Sequence, residues 1–305
     1  MRLIAMTWSN NLFYFVFACQ IFLMSYYLPN KLLTRMRHIL ATYPPETHPK
    51  LYPRPVERYE AAHRNFAIAV RVVLVLGILI LLALMLWVDH STFADDGYIS
   101  ELWPAAYGLI QFLPLMAIEF SEFGHLKQMR RANVSPKRVA GLQRRGLTDL
   151  VPVAWIGLAI MTFAGAILFD LYVHGFDVGW GHDTVQRAVT MTITNGFLAA
   201  VGAWTLYGRK LDPHQTPEDR AQRISVTLKS LLFVSMALSA FIAVTAADDI
   251  YSLDAVGAAI TSVYFQVVAL LSLGYTLRGI RPDEIDFDVY KENGADYAEV
   301  PVVDA

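Results

Sequence analysis

PVERYEAAHRNFAIAVRVVLVLGILILLALMLWVDHSTFADDGYISELWPAAYGLIQFLPLMAIEFSEFGHLK, residues 55–127, decides the fold. It opens on a polar foot and runs through an apolar stretch, Phe66 to Val88, broken only by Arg71. After a short acidic turn it returns through a second apolar stretch, Leu102 to Phe123. Runs of about 20 apolar residues are long enough to cross a hydrocarbon core of roughly 30 Å. The segment therefore predicts a transmembrane hairpin. Its two feet carry one polar pattern, Glu57, Glu60 and His63 on the rising side and Glu119, Glu122 and His125 on the falling side. Both triplets are spaced i, i+3, i+6, so each forms a stripe on one helix face. An antiparallel pair brings the two stripes to the same membrane surface.

The rest of the 305-residue chain follows the same rule. Hydrophobic residues make up 55%, charged residues 17%, and the mean hydropathy is +0.39. Seven apolar spans emerge, at about 11–29, 66–88, 102–123, 150–173, 188–207, 226–247 and 255–277. A net charge of −2 gives no general attraction to nucleic acid. The lone cysteine, Cys19, excludes an intrachain disulfide and any multi-cysteine metal or iron–sulfur centre. No phosphate-binding loop, dinucleotide fingerprint or zinc-protease motif is present. Ser9-Asn10-Asn11 interrupts the first run and bulky Phe17 precedes Cys19, so the first span reads as a retained anchor.

Orientation follows from the 25 basic residues. Seven lie in 30–65, seven in 124–149, four in 208–225 and three in 278–305, against only Arg2 and Arg187 in the alternate segments. By the positive-inside rule the N-terminus is outside and the C-terminus in the cytoplasm. Lys31 to Ala41 alternates apolar and basic residues and is expected to prolong the first helix into the cytoplasm or lie along the headgroups.

Pro55, Pro136 and Pro217 recur at a constant spacing, each shortly before a rising span, where proline suits a first helical turn. Ser135 and Thr216 stand where N-caps belong. Asp89 and Asp170, at the outer ends of two rising spans, keep the same spacing. The chain therefore reads as an all-α polytopic bundle: a transmembrane domain, 1–277, of one anchor helix and three hairpin repeats, about 55–127, 136–208 and 217–278. An acidic tail, 278–305, follows, expected to be mobile in the cytoplasm, with docking onto the basic inner loops as the sharper alternative.

Ionisable residues at membrane depth are costly and usually face the protein interior. Arg71 and Glu119 fall at matching depths on the two helices of the hairpin and are expected to pair. Glu57, Glu60, His63, Asn65, Arg71, Glu119, Glu122 and His125 form the candidate binding site. The bland reading of its feet is a solvated helix end with salt bridges to Arg58 and Arg64. Gln20, Gln111, Asn195 and Gln266, with Thr190, Thr192 and Thr194, are expected to bond between helices.

Two short resemblances bear on chemistry. The pairs Glu60/His63 and Glu122/His125 resemble the Glu-x-x-His motifs of ferritin-like di-iron proteins, with Glu57 and Glu119 in the place of the completing glutamates. That resemblance implies a metal at Glu60, His63, Glu122 and His125, although a divalent metal is less expected than none. Glu57 to Asn65, ERYEAAHRN, resembles a signature of the MAPEG family of membrane glutathione and eicosanoid enzymes, matching at Glu57, Arg58, His63 and Asn65. It implies a trimeric enzyme acting on a lipid-soluble electrophile. Ala61 and Ile68 depart from that pattern, and the family has four spans rather than seven.

The reading is an integral protein of a bacterial inner membrane that handles a small or lipid-like molecule at a cytoplasmic Glu/His site. The alternatives are a membrane enzyme using that cluster, an accessory subunit with its polar groups satisfied internally, and a transporter. Expected partners are the lipid bilayer and a second copy or a membrane-complex subunit.

Overall fold

The computed structural model describes residues 2–87, 94–95, 98–132, 146–176, 183–208 and 212–292. Helix α1 (Arg2–Phe22) passes through a wider π turn, Leu23–Tyr27, into α2 (Leu28–Thr42). Then come α3 (Val56–Trp87), a two-residue hairpin of β1 (Ala94–Asp95) and β2 (Tyr98–Ile99), and α4 (Leu102–Ala132). The second half holds the single turn α5 (Leu147–Leu150), α6 (Val153–Val173), α7 (Asp183–Tyr207) and α8 (Pro217–Tyr251). It closes with α9 (Asp254–Ala269), a second π turn and α10 (Tyr275–Gly279).

Six of these helical runs are long and apolar enough to cross a membrane: Trp8–Thr42, Val56–Leu86, Val153–Val173, Thr184–Tyr207, Pro217–Asp248 and Asp254–Gly279. They mark an all-α integral membrane bundle. Helix α4 has 31 residues but is not among the six. Pro104, Gln111, Pro114 and Glu119 dilute its apolar stretch.

The first helix is no peripheral anchor. Phe13, Phe17, Ile21, Met24 and Leu28 recur every three to four residues and are all buried. Of its apolar window 44% is enclosed, against 17% for each of α6, α7 and α8. It packs on α9 and α3, and Phe13, Phe17 and Ile21 join Leu84, Tyr107 and Ala258 in one core cluster. Lys31 to Ala41 prolong it as part of α2.

A polar network threads this core. Gln20, fully buried, donates to the carbonyl oxygens of Gln111 (2.9 Å) and Pro104 (3.3 Å) and accepts from Ser262 (2.6 Å). Gln111 donates to Ser25 (2.8 Å), whose hydroxyl meets Tyr107 Oη at 2.9 Å. Tyr107 in turn donates to the Val73 carbonyl at 3.0 Å. Gly77 permits that approach, because a Cβ there would stand 2.0 Å from the phenol oxygen. Gln266 donates to the Val16 carbonyl at 3.1 Å, and Ser235 donates to Asn195. These glutamines and Asn195 do bond between helices; Thr192 and Thr194 instead donate to carbonyls one turn back in their own helix.

In the second half α8 is the common partner. Helix α6 packs chiefly on α8, as does α7, and the two touch each other much less. Val151, Leu206, Ile224 and Leu228 form the shared buried cluster. The C-terminal end of α6 is tied to the N-terminal end of α7, where Arg187 reaches Asp170 at 3.1 Å and His174 Nε2 at 3.0 Å. Thr216 caps α8 by accepting from the Asp219 N–H at 3.1 Å, with Pro217 in the first turn. Ser135, Pro136 and Asp89 lie outside the described residues.

The beginning of the tail is docked rather than mobile. Phe287, Val289 and Tyr290 are buried with Leu126 and Met129 of α4, against Ile39, Tyr43, Leu51 and Ile285. Tyr290 also donates to Asp212. Apolar contact with α4, α2 and the linker therefore holds residues 285–290 against the bundle. Residues 293–305 lie outside the described part.

Candidate functional site

Helix α3 rises from the Pro-rich linker with one face toward α2 and another toward α4. Phe66 and Val70 meet Leu115 and Ile118 of α4 and Leu33 of α2 in a buried cluster. Residues Val56, Glu60, His63, Arg64, Ala67 and Arg71 follow the helical period along a different strip. That strip lines a cavity of about 660 Å³, closed on the other side by Arg37, Leu40 and Ala41 of α2 and by Pro44, Pro45 and Glu46 of the linker. Its volume falls in the range of roughly 300–1,000 Å³ typical of small-molecule sites. Arg37, Arg64, Arg71 and Glu60 are exposed and His63 half-buried, so the charged groups stand at its mouth and walls.

The falling foot looks elsewhere. Tyr59 Oη lies 2.9 Å from His125 Nδ1, the two rings edge to face at 5.4 Å. Glu122 accepts from Arg223 of α8 at 3.1 Å, with both side chains roughly half exposed. Arg54 donates to Gln128 one turn further along α4. Tyr290 of the tail donates to Asp212, which stands between α7 and α8.

The eight candidate residues therefore divide. Glu60, His63 and Arg71 share the cavity, while Glu122 and His125 belong to the α3–α4–α8 contact. Glu57 and Asn65 are exposed and do not line the cavity. Glu119 is exposed on α4, and no ion pair among the described residues joins it to Arg71. The expected Arg71–Glu119 pair is thus not formed. Val70, not Arg71, turns toward α4, and one residue rotates the helix face by about 100°. The carboxylate of Glu122 likewise pairs with Arg223 and not with Arg58 or Arg64.

Glu60, His63, Glu122 and His125 are not gathered into one ligand set. Among the described residues no group of three or more His, Cys, Asp or Glu is placed to hold a metal ion.

Arg37, Leu40 and Ala41 were the contributors that the sequence reading missed. The signal was present, since Arg37 and Ala41 lie one turn apart in the amphipathic continuation of the first helix. Outside the membrane core, burial and then the charge of Lys291 hold the His48 imidazole below its ordinary value. Burial, with Tyr59 alongside, pushes the Tyr52 phenol up to about 12. Burial, then the Asp212 carboxylate, raises the Tyr290 phenol. These three groups surround the tail and linker, not the cavity.

No family model, curated protein or solved structure matches the chain. The two short resemblances therefore carry no family assignment.

Proposed function

We propose that this integral membrane protein binds an amphiphilic small molecule or lipid in the cavity between α2 and α3, at the cytoplasmic surface. One observation carries the reading: a cavity of about 660 Å³ that combines charged side chains, Glu60, His63, Arg64 and Arg71, with apolar walls. Such a mixed lining suits a ligand with one polar and one apolar end. The finer architecture belongs to the same proposal: seven spans with α4 as the third, N-terminus outside, C-terminus in the cytoplasm, and three repeated hairpins. The charge bias and the proline spacing support it. An α-helical bundle suits the inner rather than the outer membrane of a bacterium, where spanning proteins are barrels.

A structural or accessory role is the second reading, favoured by the core network in which Gln20, Gln111, Ser25 and Tyr107 satisfy one another. The two separate in one experiment. The full chain, purified in mild detergent, is analysed by native mass spectrometry beside Ala41→Trp, which fills the cavity from its exposed α2 side. Binding predicts a retained amphiphile in the wild type that Ala41→Trp loses. A wild type carrying none, or a variant retaining it unchanged, overturns the cavity as the site.

A further inference from the structure

Three arginines converge on the cavity, Arg37 from α2 and Arg64 and Arg71 from α3. No carboxylate among the described residues lies within ion-pair distance of any of them. Arg71 is the most demanding. It stands two turns, about 10 Å, beyond Arg64 on α3. Phe66, Ala67 and Val70 before it are buried, and Val72, Val75 and Leu76 after it are exposed apolar residues. An arginine at the edge of the hydrocarbon keeps its charge and must find an anion or the headgroup layer.

A second feature starts at the same place. Ile68, Val72, Val75, Leu79, Leu82 and Leu86 recur at alternating spacings of four and three along α3 and are between 49% and 72% exposed. They form a continuous apolar track from the cavity wall at Ile68 to the far end of the helix. Acyl chains lying on this track carry their headgroup into the cavity.

On the amphiphile-binding reading of this cavity, we propose that its ligand is a membrane phospholipid of net charge −1. The phosphodiester lies among Arg37, Arg64 and Arg71, and the chains lie along the Ile68–Leu86 track. The net charge follows from the lining. Three guanidinium groups against the carboxylates of Glu46 and Glu60 leave one positive charge, matched by a singly charged phosphodiester. Planar guanidinium forks suit phosphate oxygens, and the two carboxylates can accept from hydroxyl groups of a polyol headgroup.

The test uses the full chain in detergent and three probes: phosphatidylglycerol, phosphatidylcholine of the same chains, and inorganic phosphate. Titrations are read by native mass spectrometry and by thermal shift. Phosphatidylglycerol is expected to bind at least about tenfold more tightly than phosphatidylcholine. Arg64→Gln and Arg71→Gln should each weaken it by about tenfold, the scale of one charge-assisted hydrogen bond. Arg58→Gln, which lies off the cavity, should change nothing. Equal binding of the two lipids, or indifference to Arg64→Gln and Arg71→Gln, overturns the anionic class. Should that happen while Ala41→Trp still expels an amphiphile, the cavity stands as a site and only the class falls. Inorganic phosphate as effective as the lipid overturns the membrane source.

Discussion

The ring of Phe287 stacks on that of Tyr43 at 4.0 Å and 18°, fastening the tail to the linker that leaves α2. Phe287, itself buried, belongs to the cluster that holds Leu126, Met129, Val289 and Tyr290. Phe287→Ala should destabilise that cluster by about 3 kcal/mol. The expected outcome is earlier chymotryptic cleavage after Tyr290 with the melting temperature of the bundle little changed. Cleavage at the wild-type rate would mean that the tail does not depend on this contact.

Docking of the tail should also have a pH window. His48, edge to face on Tyr43 at 5.1 Å, has its imidazole held down by burial and by Lys291, while Asp288 acts the other way. A lowered value means that the folded tail prefers neutral His48. That stability is complete above the unfolded value of about 6.5 and is lost as pH falls below it. Tyr290 is raised, so its contribution is complete below the unfolded value of about 10 and is lost as pH climbs toward the folded one. Hydrogen exchange of residues 282–290, corrected for intrinsic rates, should slow between these limits. Tyr290→Phe should remove the alkaline limb and leave the acid one.

Asp170 is a buried charge that the bundle compensates. It is 2% exposed and meets Arg187 at 3.1 Å and His174 at 3.3 Å. Removing Arg187 alone leaves a buried carboxylate and should cost about 3–5 kcal/mol. Arg187→Met with Asp170→Asn should cost less than Arg187→Met alone. Thermal stability in detergent decides it, and simple additivity would show that the two groups do not couple.

Gly77→Ala probes the core network. A methyl group at that position collides with the Tyr107 phenol, itself bonded to Val73 and Ser25. Overpacking of this kind costs about 1–3 kcal/mol. Adding Tyr107→Phe should recover part of the loss, because it removes the atom that the new methyl meets.

Orientation is checked with single cysteines in a Cys19→Ala background. Thr47→Cys and Glu218→Cys, both exposed, should be shielded from an impermeant thiol reagent in intact cells. Tyr251→Cys, exposed at the end of α8, should react. Labelling of Thr47→Cys from outside would reverse the assigned orientation.

Much of the bundle could be read directly from the chain. Apolar runs long enough to span cannot remain in water, and the spans at 188–207, 226–247 and 255–277 fall within long apolar helices, while those at 66–88 and 150–173 overlap such helices over most of their length. Thr216 before Pro217 marked the start of α8 because the capping hydroxyl needs only local geometry. The paired polar feet of α3 and α4 were also legible, since spacing along a helix fixes which residues share a face.

Only the tertiary structure decided which way those faces turn. Depth follows from counting residues along one helix, so Arg71 and Glu119 could be placed at one level. The rotation that points Val70 and not Arg71 toward α4 depends on how three helices interlock, and every face of α3 near that depth is rich in apolar residues. The same ambiguity hid the central place of α1, whose buried stripe of Phe13, Phe17 and Ile21 is flanked by exposed Phe15 and Phe22. In the tail, Ile285, Phe287, Val289 and Tyr290 sit among acids over too few residues to set a period. Their burial required a surface supplied by Tyr43, Leu126 and Met129, residues at least 150 positions earlier in the chain, and contact at that range is a property of the folded bundle alone.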